Sequence, residues 1–100
     1  NISDFLKEPD NTLLIFKKRE MAEIAFKNSL KTLKLNISNP TAYKSYFRTP
    51  ENLVSRGENL FDIKHIIIDE YDFFDEKQKN NLREDIYYFS NLETISLLFI

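Results

Sequence analysis

The stretch IKHIIIDEYDFFDE, residues 63–76, decides the fold. Three isoleucines, Ile66 to Ile68, run directly into Asp69 and Glu70. A short, continuous apolar run predicts a buried strand, because an amphipathic element would alternate with polar residues. In parallel α/β sheets, ligands bind beyond the carboxyl ends of the strands. On that reading the run is a rigid mount that presents two carboxylates at a ligand-facing rim. A second reading stays open on these residues alone, in which Asp69 to Asp72 are solvated loop residues that follow a strand.

The flanking sequence extends the pattern in both directions. TLLIF (12–16) is another short apolar run that suits a buried strand. KKREMAEIAFKNSLKTLKL follows it, with Ala22, Ala25, Phe26, Ser29, Leu30 and Leu33 at helical spacing. Lys27, Lys31 and Lys34 flank that stripe and read as a solvated face. AYKSYFR (42–48) is aromatic enough to favour a strand. In TPENLVSRG, Thr49 suits an N-cap, Pro50 a first helical position and Gly57 a helix end, which predicts a short helix. Asp75 and Gln78 form a D-x-x-Q capping box that opens a helix to about Ser90, with Leu82, Ile86 and Phe89 on one stripe. TISLLFI (94–100) reads as a last strand. Ahead of these, Ser3 suits a cap for a turn over DFLKE, stopped by Pro9, and PDN is a turn signal. The resulting alternation predicts an α/β fold with a mainly parallel sheet and flanking helices, its apolar strands covered on both faces.

Composition bounds the rest. One hundred residues, 42% of them hydrophobic, make a single domain, 1–100, with enough apolar material for a core. A net charge of −2 excludes a strongly basic nucleic-acid surface and leaves room only for a local patch. With no cysteine there is neither a disulfide nor a thiolate metal site, which fits a reducing, intracellular compartment. No apolar run is long enough to span a bilayer and no signal peptide is visible, so no membrane partner is expected. The chain holds one glycine, Gly57, so no G-x-x-x-x-G-K-S/T phosphate loop lies within it. It begins at Asn1 and ends at Ile100 inside an apolar run, which reads as a fragment or a processed product.

Three stretches together resemble the DEAD-box group of superfamily 2 helicases. IIIDEYD resembles the D-E-x-D box, the Walker B element of that family. LLIFKKREMAEIAF is similar to its motif Ia, a strand followed by P-T-R-E-L-A and a helix; Arg19, Glu20 and Ala22 match, while Lys17 and Lys18 replace Pro and Thr. In RTPENLVSRG, Thr49 and Pro50 match T-P-G-R, and Glu51 and Asn52 depart from it. TISLLFI falls where the strand before the family's S-A-T motif belongs. The resemblance covers residues 12–100. It implies part of an N-terminal RecA-like domain that lacks the phosphate-binding loop. It also implies ATP and Mg2+ as cofactors of the parent protein, with none bound by the isolated chain, and RNA or DNA plus the remainder of a helicase core or larger assembly as partners. Asp69 would associate with the magnesium ion through water, Glu70 would be the catalytic carboxylate, and Asp72 would couple the nucleotide site to the S-A-T segment. Arg19, Thr49, Lys17 and Lys18 would meet the phosphate backbone of the nucleic acid. Glu51 fits that surface poorly, since a carboxylate repels phosphate.

Two other functional classes are compatible with these residues. One is a degenerate helicase-like module, without catalysis, that binds RNA or protein. The other is a fragment of a viral DNA-packaging terminase ATPase, which uses the same logic of a strand ending in acids. Among the remaining residues, His65 has no second histidine and reads as a packed or edge histidine. Phe73 and Phe74 read as packing beneath the acidic loop, and Tyr43, Tyr46 and Phe47 as core aromatics. No Ser-His-Asp arrangement or zinc spacing is present.

Overall fold

Four parallel strands form one sheet in the order β2-β1-β3-β4, with a helix packed on each face. The computed structural model describes residues 12–32, 46–54 and 60–100. The elements are β1 (Thr12–Ile15), α1 (Arg19–Thr32), β2 (Phe47–Arg48), β3 (His65–Ile68), a 3-10 turn (Tyr71–Phe73), α2 (Glu76–Phe89) and β4 (Ser96–Phe99). This is the expected α/β class with a parallel sheet, consistent with part of a RecA-like domain. The turns expected near Ser3 and PDN, and the expectations for Leu33, Lys34, Tyr43 and Gly57, lie outside the described residues.

β3 is an interior strand, paired in register with β1 on one side (Leu14 opposite Ile67) and β4 on the other (Ile67 opposite Leu98). Alternation of side chains divides its isoleucines between two cores. Ile66 and Ile68 join Leu13, Ile15, Leu53, Leu60, Phe74, Leu82 and Ile86 on the α2 face. Ile67 joins Leu14, Phe16, Ala22 and Phe47 on the α1 face. Ile66, Ile67 and Ile68 are all essentially inaccessible to solvent. Burying each such side chain contributes about 1.5–3 kcal/mol, which is why the run admits no polar residue.

The two helices follow their stripes. In α1, Ala22 and Ser29 are buried and Ala25, Phe26 and Leu30 half-buried. The helix begins at Arg19, so Lys17 and Lys18 belong to the loop after β1. α2 carries the full capping box: Gln78 N–H donates to Asp75 Oδ1 at 2.8 Å and Asp75 N–H donates to Gln78 Oε1 at 3.3 Å. Its stripe buries Leu82 and Ile86, and the Ser90 hydroxyl closes the far end on the Ile86 carbonyl. The aromatic residues around β2 are core, as expected. The Phe47 ring stacks on Phe16 at 6.3 Å and meets Phe26 edge-on at 5.6 Å.

Three expectations are corrected. The short helix over 49–57 is absent from its described part, residues 49–54, which form a turn. Asn52 Oδ1 accepts from Thr49 N–H, and Arg48 Nη1 holds the carbonyls of Asn52 and Leu53, which a helix would need for its own ladder. The sheet is not covered on both faces throughout. β4 lies at an edge with Leu97 and Phe99 exposed, beside an apolar groove of about 240 Å³ that Tyr71, Leu82, Ile86 and Leu92 help to line. Finally, Phe74 packs in the core but Phe73 is 68% exposed: at three residues per turn Phe74 falls on the side of Tyr71, whose ring it meets at 5.8 Å, and Phe73 does not.

Candidate functional site at the carboxyl edge of the sheet

Since all four strands are parallel, the loops after β1, β2 and β3 emerge at one edge of the sheet. Hydrogen bonds draw these loops together. Asp69 N–H donates to Ile15 O at 2.9 Å, which extends the β1–β3 ladder by one residue and fixes the first acid against the end of β1. The Lys17 ammonium donates to the Phe73 carbonyl, joining the loop after β1 to the loop after β3.

The acids sit as the apolar run predicts. Asp69 is half-buried, and Glu70 and Asp72 are exposed. No described residue donates a side-chain hydrogen bond to these three carboxylates, so they face solvent with their acceptor capacity open. Glu70 has φ 52° and ψ 44°, the left-handed helical region, and it is the only non-glycine residue with positive φ among those described. For an L-residue with a Cβ that conformation is strained. Here it reverses the chain between β3 and the 3-10 turn, whose Phe73 N–H donates to Glu70 O at 2.9 Å.

The basic residues surround the same edge. Arg19 opens α1, with its side chain 84% exposed and its Nε 3.8 Å from Glu23 Oε1. Such an exposed pair is weak, so the guanidinium stays available to a stronger anion. Lys18 is exposed, and its carbonyl accepts from the amides of Met21 and Ala22 to start the helix. Thr49 lies at the end of β2 but is only 6% exposed, so it offers a ligand far less surface than Arg19 or Lys18. His65 begins β3 at the opposite end of the strand, half-buried and remote from the acids.

One residue of the site is not evident from motif reading. Gln78, 7% exposed, does more than cap α2. Its Nε2 donates to Lys17 O and to Glu51 Oε1, both at 3.0 Å. The carboxylate of Glu51, which sits awkwardly beside a phosphate-facing Thr49, is thus an acceptor for an amide. The sequence does carry a signal for this. Gln78 lies four and eight residues before Leu82 and Ile86, so it is a polar residue on the buried stripe of the helix.

The chemistry of the edge suits a hard cation better than a soft one. Mg2+ is held in proteins by one or two carboxylates together with water and substrate phosphates, and Asp69 beside Glu70 can supply that share. No group of three or more His, Cys, Asp or Glu side chains able to hold a metal ion by themselves occurs among the described residues. A comparison with known protein families, curated proteins and solved structures finds none that matches this chain.

Proposed function

We propose that the chain is part of the ATPase core of a nucleic-acid-dependent helicase of the DEAD-box kind, acting on RNA or DNA. The observation that carries this reading is the Asp69–Glu70 pair at the carboxyl end of an interior parallel strand, at the edge where the loop after β1 holds Lys17 and Lys18 and α1 opens on Arg19. In this reading Asp69 would hold magnesium through water, Glu70 would be the carboxylate that orients the attacking water, and Asp72 would link the site to the S-A-T segment. Arg19, Lys17 and Lys18 carry most of the electrostatic contact with backbone phosphates, and Thr49, being nearly buried, carries less. A chain with one glycine holds no glycine-rich phosphate loop of the G-x-x-x-x-G-K-S/T kind, which this reading needs for the nucleotide. No catalytic step is therefore assigned to the isolated chain, and it is expected to lack ATPase activity.

Fluorescence anisotropy with labelled single-stranded RNA and DNA tests the proposal. The chain should bind in a salt-dependent manner. Arg19→Ala should weaken binding and reduce the slope of log K against log salt by about one. Absence of binding at low salt, or an Arg19→Ala variant with an unchanged slope, would refute it. Binding that is present but indifferent to nucleotide and magnesium, even when the missing parts of a helicase core are supplied, would favour the non-catalytic binding module.

A further inference from the structure

We infer that Gln78 is a positioning residue, whose side-chain amide locks the loop after β1 and the turn after β2 onto the loop that carries the acids. Every hydrogen-bonding position the amide needs is filled. Oε1 accepts from Asp75 N–H, and the two hydrogens on Nε2 go to Lys17 O and Glu51 Oε1. Gln78 is buried and its three bonds are part-buried, Glu51 being the exposed partner, so water competes with them less than at an open surface. A helix cap needs only the bond to Asp75. The other two reach 61 and 27 residues along the chain, to segments that share no element with α2. The Lys17 ammonium closes the circuit from the other side by donating to Phe73 O.

The consequence concerns how the site works, and on this point it rests on the helicase-core reading above. The cations that would face phosphate lie on or beside the loop after β1, and the carboxylates lie on the loop after β3. Gln78 is the side chain that bonds to the first and, through Asp75, to the end of the second. A shift of the acidic loop on binding an ion therefore moves Lys17 and the turn bearing Glu51 with it. Gln78 also fixes where the Glu51 charge sits, which matters wherever phosphate approaches Thr49.

Gln78→Glu separates the clamp from the cap. The new carboxylate still accepts from Asp75 N–H, so the capping box survives. It can donate to neither Lys17 O nor Glu51, and it places a second negative charge against the first. The double variant Gln78→Glu/Glu51→Gln restores the bond between positions 78 and 51 with its direction reversed, and leaves Lys17 O without its donor. Two measurements on the full chain decide the matter. Amide hydrogen exchange by NMR should show faster exchange at Thr49 and Asn52 in Gln78→Glu, unchanged protection within α2, and recovery in the double variant. Labelled single-stranded RNA should bind about fivefold more weakly to Gln78→Glu, the scale of a small coupling between sites, with the salt slope unchanged because no phosphate contact is removed. The double variant should regain only the part of that affinity owed to the turn after β2, because the loop after β1 stays unlocked. Unchanged exchange at Thr49 and Asn52, or a double variant no better than the single one, overturns the clamp. RNA binding by the wild type that Gln78→Glu leaves intact overturns its positioning role. If the wild type binds no RNA, the helicase reading falls by itself, and the exchange data alone decide whether the clamp exists.

Discussion

Replacing Glu70 should make the protein more stable. Its φ of 52° and ψ of 44° place a residue with a Cβ in the left-handed region, which costs an L-residue about 1–2 kcal/mol. Asparagine enters that region readily, because its short side chain hydrogen-bonds locally. Glu70→Asn should therefore recover about 1 kcal/mol. For a domain of about a hundred residues that is a rise in Tm of about 4–8 °C. Glu70→Gly relieves the same strain but gives the unfolded chain extra freedom worth about 0.5–1 kcal/mol, so it should gain about 0.5–1 kcal/mol. Both variants should be more stable than wild type and close to each other. Asp72→Asn is the control, since it removes a charge from the same loop without touching a positive φ. It should move Tm by much less than Glu70→Asn does. Thermal unfolding followed by circular dichroism reads all four proteins. A Glu70→Asn variant at or below the wild-type Tm, or an Asp72→Asn variant that gains as much, would show that backbone strain at position 70 is not the cause. A carboxylate kept in a conformation that favours another residue is what the proposed helicase-core role of Glu70 expects.

Two further outcomes test the packing. Leu82→Ala should cost about 2–5 kcal/mol in chemical denaturation, because Leu82 is buried between α2 and the β1–β3 face and its loss leaves a cavity; a loss below about 1 kcal/mol would mean that α2 is not seated there. Asp85→Asn should raise stability at neutral pH and leave it unchanged in acid. Burial, with a smaller contribution from Glu84, raises the Asp85 carboxyl above its ordinary pKa. The folded state therefore holds that proton more tightly, and the stability it contributes below the unfolded pKa is lost as pH rises through the folded one. Denaturation midpoints of both proteins across that range check the sign, and a variant that gains equally at all pH values would contradict it.

Much of the fold is legible in the residues, for identifiable reasons. β1 and β3 are announced by apolar runs too short for helices, and α2 by a capping box whose two bonds both form. Strand order is not legible in this way. Nothing in the residues of β2 says that it lies outside β1, because order depends on which edges remain open once the helices cover both faces. β4 shows the same limit, since its apolar run is as dense as that of β3 although it lies at an edge with Phe99 54% exposed. Local competition explains the turn after β2, where Arg48 and Asn52 take the backbone groups that the proline and cap signals assign to a helix. At the site, the positions of Asp69 and Glu70 follow from the strand that precedes them. The left-handed backbone at Glu70 and the three-way bonding of Gln78 do not, because both arise from where separate loops meet.

The most direct test of the account is NMR measurement of scalar coupling across the hydrogen bond from Asp69 N–H to the Ile15 carbonyl, in the isotopically labelled chain. The account predicts a resolved coupling and slow exchange of that amide, as expected of an acid anchored at the end of an interior parallel strand. An Asp69 amide that exchanges at the rate of an unstructured loop and shows no coupling to Ile15 would contradict it.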